Sequence, residues 1–88
     1  MRHLRMGGFN SEVSHRGTAY HVQTEDKGPG FHYVETIVYC SGRVVSSRKA
    51  PYTHLLSVAE RTYRIQQFVE EQHTDMIEDI HAGKLDHL

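Results

Sequence analysis

Eighty-eight residues confine the chain to one domain with a modest core, so partners or self-association would matter to its stability. Ten Lys and Arg against 11 Asp and Glu leave a net charge of -1, which creates no global attraction to nucleic acid or an anionic membrane. With 24% charged and 38% hydrophobic residues the composition is globular rather than disordered, and no apolar run approaches the ~20 residues a membrane-spanning helix needs.

The first residues, Met1 to Gly8, carry two arginines and a Gly-Gly pair and read as a leader, residues 1–8, too short and polar for a secretory signal; Met6 is an equally suitable start. From Phe9 to His15 apolar and polar residues alternate, and the alternation resumes from Thr18 to Thr24. If Arg16-Gly17 forms the turn between them, His15 faces Thr18, Val13 faces Tyr20, Ser11 faces Val22 and Phe9 faces Thr24. That register gathers Phe9, Val13, Tyr20 and Val22 on one face. Asn10, Glu12, Ser14, Ala19, His21 and Gln23 fall on the other, with Glu12 directly across from His21.

Glu25 to Phe31, EDKGPGF, cannot continue a regular element and predicts an exposed connector. His32 to Cys40 is the strongest strand signal, and Ser41-Gly42 turns it back into Arg43 to Lys49. A two-residue turn pairs Tyr39 with Val44, Ile37 with Ser46 and Glu35 with Arg48. The buried face stays open, because Val34, Val38, Cys40 and Val45 compete with Tyr33, Ile37, Tyr39 and Val44 for the core. Pro51 lacks an N–H and ends the strand.

Ser57 to Ala82 then reads as one long amphipathic helix. At ~100° per residue Val58, Thr62, Ile65, Phe68, Val69, Met76, Ile77 and Ile80 collect on one side, and Glu60, Arg64, Gln67, Glu71, Thr74 and Glu78 on the other. Ser57 and Glu60 have the spacing of a capping box, and Gly83 suits a left-handed C-cap. The order ββββα defines an α+β fold: a four-stranded antiparallel β-meander of two hairpins, followed by one long C-terminal amphipathic helix packed on one face. The domain is expected over residues 9–82, with a tail at 83–88.

Eight histidines are the compositional anomaly, yet they form no HxH, no HExxH and no paired CxxC. Glu-x-x-His occurs as Glu70 to His73 and as Glu78 to His81. In carboxylate-bridged metal bundles such pairs project inward, whereas here Glu78 lies on the polar side and Glu70 at its margin, so no metal or cofactor is expected. The single cysteine, Cys40, allows no intrachain disulfide, reads as a small buried hydrophobe and makes a cytoplasmic setting the default. Glu12 and His21 read as a cross-strand pair. An acid/base site with Glu25 or Asp26 would also need a nucleophile or oxyanion donor, which nothing supplies, so the chain is not expected to be an enzyme. Lys27-Gly28-Pro29-Gly30 leads into a strand, not a helix, and lacks phosphate-loop spacing.

The run Tyr20-His21-Val22-Gln23-Thr24-Glu25-Asp26, the Ser41-Gly42 turn, Pro51-Tyr52 and the Glu70-Glu71-Gln72-His73 segment resemble a family of small bacterial domains of uncharacterised function. The resemblance covers roughly Phe9 to Leu85. It implies a bacterial origin and a small stand-alone or fused domain, and no activity, cofactor or site residue.

The expected function is a non-enzymatic protein–protein interaction module, with self-association as a homo-oligomer, for instance a homodimer, or binding to another protein. A helix of about 26 residues is ~39 Å long, against ~23 Å for strands of about seven, so its end would overhang the sheet. Gln72 and His73 interrupt the apolar stripe, which assigns Val58 to Val69 to the sheet and Met76, Ile77 and Ile80 to an association surface. The alternative is nucleic-acid binding by a basic fourth strand through Arg43, Arg48 and Lys49, with Tyr33, Tyr39 and Tyr52 as stacking surfaces.

Overall fold

A computed structural model of the chain describes residues 8–88, so the leader expected before the first strand lies outside the described residues but for Gly8. Four strands, β1 (Gly8–His15), β2 (Thr18–Asp26), β3 (Tyr33–Cys40) and β4 (Arg43–Pro51), form one antiparallel sheet in the order β1-β2-β3-β4. A short 3-10 turn at Thr53–Leu55 leads to the helix α1 (Arg61–His81), which packs across one face of the sheet. The α+β meander-and-helix architecture read from the sequence is the observed one.

Both hairpin turns form where the sequence places them. Arg16 and Gly17 have φ of 52° and 80°, and Ser41 and Gly42 have 53° and 77°, the paired positive values of the turn whose twist matches that of the flanking strands. The first hairpin has the predicted register throughout, from His15 opposite Thr18 to Phe9 opposite Thr24. The second departs from it. Tyr39 faces Val44, but Val38 faces Ser46, so Val45 is an extra residue, a β-bulge, and Ile37 and Glu35 face Ser47 and Lys49, one position later than predicted. Val45 packs against the core made by Val13, Tyr20, Val22, Val38, Met76, Ile80 and Leu85, and the bulge reverses the facing of the residues after it, which puts Ser46 and Arg48 on the helix side and Ser47 and Lys49 on the other.

That core also settles the face of β3. Val34, Thr36 and Val38 are buried under α1, while Tyr33, Ile37 and Tyr39 lie on the uncovered side. Cys40 packs against the same core, as a small hydrophobe would.

The helix begins at Arg61, four residues after the predicted start. Glu60 is its N-cap residue, in the left-handed region at φ 57°, and no side chain caps it, so Ser57 and Glu60 do not make a capping box. Leu55 and Leu56 pack against Val34, Tyr52 and Val69, and the chain turns once more before α1 can start; burial of the two leucines wins over local helix propensity. Val58 is consequently outside the helix and exposed. At the other end Gly83, at φ 81°, donates its N–H to Ile80 O (3.0 Å) and Lys84 donates to Asp79 O (3.0 Å), the bond pair of a Schellman motif. The segment after it is part of the fold rather than a tail. Leu85 enters the core, and Asp86 Oδ1 lies 3.3 Å from His15 Nε2, close enough for an ion pair but not aligned as a hydrogen bond.

Candidate interaction surface

The side chains expected to dock onto a second subunit are inside the chain's own core. Met76 is 1% exposed and Ile80 0%, and Ile77 packs against the same cluster. The overhang disappears because α1 has 21 residues, about 31 Å, and the strands have eight or nine, about 27–30 Å. Ile65, Phe68 and Val69 from the first half of the stripe and Met76 and Ile80 from the second therefore rest on one sheet; Met76 and Ile80 are corrected to core residues and Ile77 to a half-buried residue packed against them.

What divides the stripe is a polar layer between α1 and the sheet. Phe9, Thr24, Thr36 and Arg48 form one row across the helix-facing side, one residue from each strand. Gln72 and His73, both buried, sit above it. His73 Nδ1 lies 2.8 Å from Thr24 Oγ1, Thr24 Oγ1 lies 2.8 Å from Thr36 Oγ1, and His73 Nε2 lies 2.8 Å from Ser11 Oγ. The Gln72 amide donates to Thr36 Oγ1 (3.1 Å) and approaches the carbonyls of Val34 and Arg48 (3.3 Å each). Phe9 stacks on His73 with centroids 5.5 Å apart.

One direction of donation satisfies every hydroxyl: Gln72 to Thr36, Thr36 to Thr24, Thr24 to His73 Nδ1, and His73 Nε2–H to Ser11. In that tautomer the imidazole gives its proton to Ser11 and cannot take one from it, so the bond does not activate the Ser11 hydroxyl. Burial, and secondarily His21, holds the His73 imidazole below its ordinary value, which favours the neutral ring. Gln72 and His73 stand three and four residues after Val69 and four and three before Met76, so the helical period itself puts both on the buried face. The strands carry the matching signal, where Thr24 and Thr36 occupy positions of the inward set.

The basic residues of β4 do not share a face. Arg48 turns toward α1 and donates to Asp79 Oδ2 at 2.7 Å, a pairing that holds the Asp79 carboxyl below the usual range. Lys49, one residue on, stands on the uncovered side over the Tyr33 ring, 5.4 Å from its centroid. Arg43 pairs with Cys40 at the far end of the strand.

The uncovered side of the sheet divides lengthwise. Over β3 and β4 it shows Tyr33, Ile37, Tyr39 and Val44, the last 59% exposed. Over β1 and β2 it is polar: His21 Nδ1 lies 2.6 Å from Glu12 Oε2 and its Nε2 3.2 Å from Asn10 Oδ1, with the ring 6.1 Å from that of Tyr39. The predicted Glu12 and His21 pair is thus present, and it is solvent-facing.

A cleft of about 290 Å³ opens where the β2–β3 connector meets the start of α1, lined by Asp26, His32, Tyr52, Leu56, Arg61 and Ile65 among others. Asp26 Oδ1 accepts the Gly28 N–H (2.8 Å) and the Tyr52 hydroxyl (2.5 Å), and burial followed by this bond pushes the Tyr52 phenol up to about 12. These bonds pin the connector to the entrance of the helix. Among the described residues no group of three or more His, Cys, Asp or Glu side chains is placed to hold a metal ion, and no helix is long and apolar enough to cross a membrane. No protein-family model matches the chain, and neither a curated protein nor a solved structure matches it.

Proposed function

We propose that the chain acts through protein–protein contact, as a self-association module whose contact surface belongs to the sheet and not to the helix. One observation carries this reading: α1 covers a single face of a four-stranded sheet, which leaves Ile37, Tyr39 and Val44 uncovered on the other and two strands at its edges. Single-layer sheets of this size gain stability by adding a layer or a strand, and a chain of 88 residues has a modest core of its own to hold such a sheet. The engagement of Arg48 by Asp79 supports protein contact over nucleic-acid binding, because it removes one of three basic groups from any phosphate-facing row. A cytoplasmic setting, supported by the lone Cys40, is part of the proposal.

Light scattering of the full chain over a concentration series tests it. Association that strengthens into the high micromolar range is expected, and a mass that stays at the monomer's 10.2 kDa throughout would contradict it.

A further inference from the structure

We infer that the outer edge of β1 pairs antiparallel with β1 of a second copy, joining two sheets into one of eight strands with both helices on the same side. The inference rests on the self-association reading above and assigns it a surface.

The two edges of the sheet differ in how they are guarded. Natural edge strands avoid unwanted pairing with bulges, prolines and charged side chains, lysine above all. β4 has all three: the bulge at Val45, Pro51 at its end, and Arg43, Arg48 and Lys49 along it. β1 has no bulge, proline, lysine or arginine; its one carboxylate, Glu12, lies beside His21, and the strand runs Gly8 to His15 without interruption or positive φ. Its backbone is also set for pairing. The turn at Arg16 and Gly17 makes His15 and Thr18 a hydrogen-bonded pair, so by alternation Val13, Ser11 and Phe9 bond β2, while Ser14, Glu12, Asn10 and Gly8 turn N–H and C=O outward. Among the described residues no backbone partner meets those outward groups.

Charge selects the register. With Glu12 opposite Glu12 of the second copy, like charges would face each other. Shifting by one pair places Asn10 opposite Glu12 and Gly8 opposite Ser14, which uses all four outward residues on each chain. The same shift sets Phe9, half-buried at the rim of the helix side, beside Val13 of the second copy, so the pairing adds an apolar contact to the ladder. A two-fold axis then passes between the two Ser11 residues, and the contact is self-complementary as closed dimers require.

Two variants test the edge by light scattering, with circular dichroism confirming the fold. Glu12→Pro removes an outward N–H without touching the ladder to β2, and Glu12→Ala controls for loss of the carboxylate. Asn10→Lys with Glu12→Lys places like charges across the contact and keeps the backbone intact, so it remains decisive if the proline variant unfolds. The expected result is a dimer of twice 10.2 kDa for the unaltered chain and Glu12→Ala, and half that mass for the other two. A dimer that persists in the double lysine variant overturns the β1 assignment while self-association stands. A monomeric unaltered chain overturns both.

Discussion

His73 is the residue on which the helix–sheet contact turns. Its ring lies between Thr24 and Ser11, under Phe9, in a site that favours the neutral form. The unfolded chain takes up a proton near the ordinary value of 6.5 and the folded chain only below it, so between the two the unfolded state binds more protons. The stability from this group is complete above that value and declines as the pH falls through and below it. Urea midpoints measured from neutral pH down to mild acid are expected to fall, and His73→Gln should flatten the part of the slope that this group provides; an equal slope in both proteins would contradict the account. Thr36→Val tests the rest of the layer, since it strips Thr24 of a donor and the Gln72 amide of an acceptor within a buried site. A loss of about 1–3 kcal/mol is expected from chemical denaturation, against less than about 0.5 kcal/mol for a change at the exposed Ser47. The layer was half legible in the sequence. Thr24 and Thr36 have inward positions in their strands, and Gln72 and His73 fall on the helix face that Val69 and Met76 define, but only the tertiary contact shows that these polar groups meet and bond one another instead of ending the packed face there.

At the level of elements, the strands were readable where chemistry is local. Arg16-Gly17 and Ser41-Gly42 dictate their turns, and alternation fixes the first hairpin to the residue. Two features depend on contacts distant in sequence and were not readable. The bulge at Val45 turns Arg48 toward α1, where it meets Asp79, and α1 starts late because Leu55 and Leu56 are drawn to Val34 and Val69. The overestimated helix then produced the mistaken overhang. Met76→Glu separates the two views of the helix end. A carboxylate in that fully buried position, together with loss of the Met76 packing, is expected to cost about 3–5 kcal/mol and largely unfold a domain of this size, whereas a docking residue would tolerate it. Gly83→Ala tests the C-terminal end: at φ 81°, with Asp86 Oδ2 only 3.1 Å from the added Cβ, it should lower stability by about 1 kcal/mol and leave the helix content unchanged by circular dichroism.

For the molecule as a whole, the apolar face of the helix is consumed by its own sheet, and the sheet keeps an uncovered face and an unpaired β1 edge. Edge pairing accounts for the unguarded backbone of β1 beside a heavily guarded β4, and it leaves Ile37, Tyr39 and Val44 facing outward on the enlarged sheet. Amide hydrogen exchange, read residue by residue in dilute and in concentrated protein, tests self-association through this edge most directly. The account predicts that the outward amides of Asn10, Glu12 and Ser14 exchange fast when dilute and become protected together as concentration rises, while the β2-bonded amides of Ser11 and Val13 are protected throughout. Exchange at Asn10, Glu12 and Ser14 that remains fast at every concentration would contradict it.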